Sequence, residues 1–334
     1  MAPTSPKSPV YLVCACNAGF NMPLCVMLTS VVVHFDPARF LGIYVLSLDS
    51  GAREQENLRL SLEKNRPGLE NIEIHWPKMD PDWFQNLPGN NRFGLDTFSR
   101  LFADKVLPAE CEKFIYLDCD MIVVTDISPL QDNTTEPTTL FAVRDMGSPW
   151  ASCPDGIFNH TELGIPSTAK MFNAGLLVLN LKRWRDLNIR DKVLDYARRN
   201  AGASFFDQTA LNATLYGDWT ELDTRWNQCH DALLYEKWKV AGFTKAQWAH
   251  SRDDPFIIHY SGLTKPWQGK DWKPRYARFY DYFRRTVYAG TIPERTRLEN
   301  VVGFRPYLSY WLFLRSCYHQ LRKIRNLFRG SPTR

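Results

Sequence analysis

After Glu299 the chain carries no acidic residue, while Arg305, Arg315, Arg322, Lys323, Arg325, Arg329 and Arg334 follow. The formal net charge of +5 is therefore uneven: this tail holds +7 and the rest of the chain sums to −2. A near-neutral body argues against a general nucleic-acid binder, and a local basic end points to an anionic partner surface. Charge of either sign is also missing from Ser8 to Phe35. So long an uncharged run raises the question of a membrane span, but Asn17, Gly19, Asn21 and Pro23 break it in the middle. It divides into a strand and a helix, neither long enough to cross a bilayer. Lys7 is the only basic residue ahead of it and no clear cleavage site comes after it, which argues against a signal peptide. Among the eight cysteines there is no repeated Cys-x-x-Cys pair, and no histidines stand at zinc-finger spacing, so a structural zinc site is not expected. Most of them lie in apolar stretches such as Val13-Cys14-Ala15-Cys16, the ordinary setting of reduced thiols in a reducing compartment. The sequons at Asn133, Asn159 and Asn212 are then incidental. There is no internal repeat, and no glycine-rich phosphate loop near the first apolar segment.

What is present is material for a large core: 334 residues, of which 44% are hydrophobic and 13% aromatic. Periodicity predicts a strand from about Val10 to Cys16, a helix from about Pro23 to Val33 and a strand from about Leu41 to Leu48. A polar helix over about Ala52 to Lys64, a short strand near Asn71 to His75, a helix near Thr97 to Val106 and the strand Lys113 to Leu117 come next. This alternation defines an α/β fold, an open doubly wound, mostly parallel sheet with its ligand crevice at the carboxyl ends of the strands. From about Ser128 to Pro154 the passage is rich in Pro, Gly and Thr and reads as irregular. Gly175 to Asn180 then reads as a buried strand, Lys182 to Asn200 as one helix and Pro255 to His259 as a last short strand. No linker divides the chain before about residue 270.

Asp118-Cys119-Asp120 directly succeeds the strand Lys113 to Leu117. Alternate residues of extended backbone share a side, so both carboxylates face one crevice and Cys119 faces away. Two hard oxygen ligands suit Mg²⁺ or Mn²⁺, and Mn²⁺ accepts an added imidazole more readily. Asp80-Pro81-Asp82 repeats the spacing without an apolar strand before it and reads as a solvated turn. His259 ends its strand and is followed by Gly262 and Lys265, a backbone able to approach a diphosphate and an ammonium to neutralise it.

Four motifs stand in order along the chain: Phe-Ile-Tyr-Leu-Asp118-Cys-Asp120, Phe172-Asn173-Ala174-Gly175-Leu-Leu-Val-Leu-Asn180, Phe206-Asp207-Gln208-Thr-Ala-Leu-Asn212 and His259-Tyr-Ser-Gly262-Leu-Thr-Lys265-Pro-Trp267. Together, over about Val10 to Trp267, they resemble glycosyltransferase family 8, which includes retaining α-galactosyl- and α-glucosyltransferases of bacterial lipopolysaccharide or lipooligosaccharide synthesis and the glycogenins. The resemblance implies a GT-A type fold, a UDP-sugar donor and Mn²⁺ held by Asp118, Asp120 and His259. It places Gly262 and Lys265 on the diphosphate, Asn17 and Phe20 at the uracil base and Arg100 on the donor. Asn17 departs from the acidic residue expected there. Asp145, Asn173, Ala174, Asp207 and Gln208 match positions around the donor sugar, with Asp207 and Gln208 beside the anomeric carbon. Since Gln208 is an amide and a poor nucleophile, front-face substitution is the favoured route, with a covalent intermediate on Asp207 as the lesser alternative.

Residues 1–270 are thus read as a catalytic domain, and 271–334 as a helical, basic region. In the latter, Tyr310, Leu314, Cys317, Leu321, Ile324 and Phe328 alternate at spacings of four and three, while Arg315, Arg322, Arg325 and Arg329 fall mainly on another face. That pattern suits a helix lying on an anionic membrane surface, with the protein peripheral on the cytoplasmic face. The sequence expectation is a UDP-hexose:glycan or glycolipid hexosyltransferase. A nucleotidyltransferase and a non-catalytic protein that binds anionic surfaces are the alternatives.

Overall fold

The first apolar run forms β1 (Val10–Ala15), and the break at Asn17 to Phe20 turns the chain into α1 (Asn21–His34). In the computed structural model the described residues are 8–88, 94–203, 205–229, 238–239, 241–262, 264–268 and 275–292. β2 (Leu41–Leu46) returns parallel to β1, with Val10 opposite Leu41 and Ala15 opposite Leu46. α2 (Ala52–Glu63) starts where the Glu54 carboxylate accepts the Gly51 N–H at 3.0 Å, which satisfies one of the donors a helix start leaves open. β3 (Ile72–His75) adds to β2 at the sheet edge.

The predicted helix near Thr97 to Val106 starts as a 3-10 turn, Leu95–Phe102, and only its end, α3 (Ala103–Val106), is α-helical. β4 (Lys113–Leu117) pairs parallel with β1, and β5 (Met121–Val123) comes directly after it. After α4 (Ser128–Asp132), the passage read as irregular contains β6 (Leu140–Arg144). Its Leu-Phe-Ala-Val-Arg run is short and ends on a charge, but Arg144 is buried against Glu221 at 2.7 Å, so the strand continues where the composition says loop. β7 (Phe172–Asn180) lies antiparallel between β4 and β6.

Where one helix is expected from Lys182 to Asn200 there are two, α5 (Leu181–Asp186) and α6 (Ile189–Arg199), parted by Asn188 at φ 53°. Asn is among the few non-glycine residues that enter this left-handed region readily. α7 (Phe206–Thr214), β8 (Trp219–Glu221), β9 (Gln228–Cys229), α8 (Lys245–Asp253), β10 (Ile257–His259) and α9 (Tyr276–Phe283) complete the described elements. The main sheet has the order β3-β2-β1-β4-β7-β6-β8, and β5-β10-β9 form a small second sheet. The last strand therefore pairs with β5 and β9 rather than with the main sheet.

Apolar side chains cover both faces of the main sheet, as its alternating connections require. α9 belongs to a third cluster: Tyr276, Phe279, Tyr280 and Phe283 pack with Val26 of α1, Ile122 and Ile258 of the small sheet and Tyr260 just after β10. Residues 275–292, at the start of the region read as the basic tail, thus rest on the body. The helix read from the pattern Tyr310 to Phe328 lies outside the described residues. Among the described residues, no helix is long and apolar enough to cross a membrane.

Candidate active site

Because β7 runs antiparallel to β4, its first residues lie beside the carboxyl end of β4, and the Asp118 N–H donates to the Gly175 carbonyl at 2.8 Å. The small sheet brings His259 to the same place: it pairs with Met121, and the Tyr260 N–H donates to the Asp120 carbonyl at 2.9 Å. Two sheets therefore converge on the Asp118-Cys119-Asp120 corner. One ligand atom from each of Asp118, Asp120 and His259 lies within 4.8 Å of the others. His259 Nε2 is 3.2 Å from Asp120 Oδ1 and 3.9 Å from Asp118 Oδ2.

The ring of His259 is fixed from behind. Asn227 donates its Nδ2 to Asn173 Oδ1 at 2.9 Å, which leaves Asn227 Oδ1 to accept from His259 Nδ1 at 2.9 Å. Nδ1 is then the donor to Asn227, and Nε2 is the nitrogen turned to the carboxylates. Gly175 makes room for the ring: a Cβ there would meet His259 Cε1 at 2.4 Å and Nδ1 at 2.9 Å. Burial alone would lower the His259 pKa, but the Asp120 carboxylate outweighs it and raises it to about 10. Asp120, despite a burial that works the other way, is held well below the usual carboxylate range by Lys265 and His259. Two oxygens and an imidazole nitrogen facing one point are a donor set that fits Mn²⁺ or Mg²⁺.

Arg100 lies under the other carboxylate. Its guanidinium is 3.0 Å from Asp118 Oδ1 and 3.3 Å from Asp207 Oδ2, donates to the Ala174 carbonyl and sits 4.2 Å over the Tyr116 ring. The Tyr116 hydroxyl donates to Asp118 Oδ1 at 2.8 Å. Burial pushes the Asp207 carboxyl up, and Arg100 opposes that shift. Gln208 is held at both ends of its amide: Oε1 accepts from the Ala174 N–H and Nε2 donates to Asp145 Oδ2, each at 3.0 Å. Asn173 also donates to Asp145 Oδ2 at 3.0 Å.

These groups border a crevice of about 460 Å³, a size ordinary for small-ligand sites. Of the residues singled out in the sequence, Asn17, Phe20, Arg100, Asp118, Asp120, Asn173, Ala174, Asp207, Gln208, His259, Gly262 and Lys265 line it. Asp145 does not line it but accepts from Asn173 and Gln208, which do. Lys265 Nζ is 2.6 Å from Asp120 Oδ2, and Phe20 meets Trp267 edge-on at 5.9 Å. Asp96, which sequence reasoning missed, accepts from Asn17 Nδ2 at 3.2 Å and supplies a carboxylate beside the position where an acid was expected. Asn227 was missed as well, because nothing in its neighbourhood in sequence marks a residue that holds a histidine 32 positions away. Cys119 turns its thiol to the Ala15 carbonyl at 3.2 Å, away from the carboxylates as expected, yet it still borders the crevice floor together with Cys16.

An open sheet in the order above, with a carboxylate pair at the end of β4 and a crevice across it, is the GT-A type architecture of nucleotide-sugar transferases. The fold matches the solved structure of galactosyltransferase LgtC in complex with donor and acceptor sugar analogues, with a TM-score of 0.67 at 23% identity over 86% of this chain and 98% of that one. Residues 11–271 match the model of "Glycosyl transferase family 8", and the chain belongs to that family. It is 27% identical to General stress protein A of Bacillus subtilis (strain 168), covering 83% of this chain and 94% of that protein. It is 26% identical to the lipopolysaccharide 1,2-glucosyltransferase of Escherichia coli (strain K12), over 57% of this chain and 54% of that protein. The protein is a glycosyltransferase.

Proposed function

We propose that the protein is a retaining hexosyltransferase that moves galactose or glucose from a UDP-hexose to an acceptor hydroxyl of a lipopolysaccharide-type glycan or glycolipid. The observation that carries this reading is the convergence of Asp118, Asp120 and His259 within 4.8 Å inside the crevice. They would hold Mn²⁺, with Mg²⁺ as the alternative ion. A divalent cation there supplies Lewis acidity to the departing diphosphate. Lys265, already beside Asp120, adds fixed positive charge for the same oxygens, and Gly262 lets the backbone approach them. Asn17 and Phe20 receive the uracil base, with Asp96 beside Asn17.

The donor sugar sits against Asn173, Ala174, Asp207 and Gln208, with Asp145 orienting the two amides. Gln208 is tied at both amide atoms and Asp207 is paired with Arg100, so neither is a ready nucleophile. That favours front-face substitution: the acceptor hydroxyl attacks on the side the diphosphate leaves, and a phosphate oxygen takes its proton. Asp207 stabilises the positive charge that develops on the sugar. The basic tail after Glu299 holds the enzyme to an anionic membrane surface on the cytoplasmic side, near its acceptor.

A screen of UDP-sugars for Mn²⁺-dependent hydrolysis without acceptor tests the reading. Release of UDP from UDP-glucose or UDP-galactose is expected. Release of pyrophosphate from a nucleoside triphosphate and a sugar phosphate would instead establish a nucleotidyltransferase. For the tail, a chain ended at about Gly303 is expected to keep UDP-sugar hydrolysis and stop sedimenting with vesicles containing anionic lipid. Loss of folding in that shortened chain would assign the tail to the core.

A further inference from the structure

The residue directly after β1 and the middle residue of the carboxylate triplet are both cysteines, and the sheet register brings them together. β1 pairs with β4 in parallel, Leu12 opposite Ile115 and Val13 opposite Tyr116. Carried past the strand ends, the same register sets Cys16 opposite Cys119. Positions paired across neighbouring strands stand about 4.8 Å apart, inside the roughly 4.4–6.8 Å that a disulfide spans between Cα atoms. Both side chains belong to the apolar cluster on the α1 face of the sheet, so they point the same way. The Cys119 thiol reaches the carbonyl of Ala15, the residue next to Cys16, at 3.2 Å, and Cys16 Sγ lies 4.0 Å from the Ser50 hydroxyl. Both border the crevice, which gives a small solute a path to them. Cys14, Cys25 and Cys111 are buried and do not border it.

We propose that Cys16 and Cys119 form a reversible oxidation site in the crevice floor, a thiol pair that closes to a disulfide with a peroxide as oxidant. In the first step the sulfur of one cysteine attacks a peroxide oxygen, the O–O bond breaks, and a sulfenic acid and one water result. The sulfur of the other then attacks the sulfenic sulfur, the S–O bond breaks, and a second water leaves as the S–S bond forms. The two thiols lose two electrons and two protons, and the peroxide is reduced to two waters. A dithiol reductant reverses the step by exchange. This inference stands on the register and the crevice and is independent of the donor or acceptor.

The test treats the full-length protein with hydrogen peroxide, digests it without reduction and maps thiols by mass spectrometry. The expected result is one new cross-linked peptide pair joining Cys16 to Cys119, removed by dithiothreitol, absent in Cys16→Ser and retained in Cys14→Ser. If circular dichroism shows that Cys16→Ser does not fold, Cys119→Ala takes its place with the same expectation. Free thiols at both positions while other cysteines cross-link would overturn the proposal. So would oxidation of Cys119 to sulfinic acid without a cross-link, or loss of the link in Cys14→Ser.

Discussion

Asp118-Cys119-Asp120 and Asp80-Pro81-Asp82 place two carboxylates at the same spacing in one chain, and their surroundings are opposite. The first succeeds a strand whose residues from Phe114 to Leu117 are buried, and each carboxylate meets fixed groups: Arg100 and Tyr116 at Asp118, Lys265 and His259 at Asp120. The second is exposed. Asp80 Oδ1 accepts the Asp82 N–H at 3.0 Å to start a 3-10 turn, and Asp82 accepts from Gln85 Nε2 at 2.8 Å. One pair of acids is held apart from its own backbone and aimed at a crevice. The other spends itself on local turn chemistry, the ordinary role of exposed Asp. The spacing is common to both, so the strand before the motif and the histidine brought to it from a second sheet make the difference.

The largest effect should come from removing one charge from the buried pair. Asp120→Asn keeps the size of the side chain and loses a charged ligand, so UDP-sugar hydrolysis should fall on the order of a thousandfold, at 1.36 kcal/mol per tenfold. Saturating Mn²⁺ should not restore it. Asp82→Asn should leave the rate within about twofold, as surface substitutions away from such features usually change little. Equal losses in the two variants would break the comparison, because strand context would then count for nothing.

Next in size is Gly175→Ala, which leaves both carboxylates intact and crowds the histidine and, beside it, the Met121 side chain. A methyl group 2.4 Å from the His259 ring forces ring or strand to move. Overpacking of this kind costs about 1–3 kcal/mol of stability, and a displaced ligand on the order of a hundredfold in rate. Thermal unfolding and Mn²⁺ titration on the same sample check it. A variant with unchanged stability and unchanged Mn²⁺ affinity would show that the ring position is not critical.

Gln208→Ala should be milder. It removes the bonds to the Ala174 N–H and to Asp145 and should slow transfer about thirtyfold, each such bond being worth about 1 kcal/mol. The product should keep the α configuration by NMR. A β-linked product of the parent enzyme would remove the retaining assignment, and a sugar ester trapped on Asp207 would replace the front-face route by double displacement.

Much of this site was legible because its residues lie at the ends of apolar runs. β1, β4 and β7 announce themselves by hydrophobicity, and the residues at their ends, Asn17, Asp118, Asp120 and Asn173, stand where an open α/β sheet puts its ligands. Residues joined only by tertiary contact were not legible. Asn227 and Asp96 act through partners 32 and 79 positions away, and β6 hid in a passage of turn-forming residues because its buried Arg144 is neutralised by Glu221 from β8. The split between α5 and α6 turns on one Asn in the left-handed region, which a helical period spanning both sides does not reveal.

The smallest expected effect completes the comparison from the side of the exposed pair. In Asp80→Ala the Asp82 N–H loses its side-chain acceptor, at a cost typical of helix caps, about 1 kcal/mol or less in an exposed turn. In a chain of this size that corresponds to about 2 °C or less in melting temperature. The turn is not isolated: Trp83 and Phe84, inside it, meet Phe102 at ring distances of 5.2 and 5.1 Å, and Phe102 ends the 3-10 segment that carries Arg100. A frayed turn thus has a physical route to the guanidinium under Asp118. Phe84 is 3% exposed, however, and apolar packing of that kind does not depend on one exposed cap. The expected outcome is a small drop in melting temperature with UDP-sugar hydrolysis unchanged. A rate loss beyond about threefold with the melting temperature intact would mean that the two triplets are coupled through Phe102 and Arg100, and the exposed one would no longer serve as the silent control.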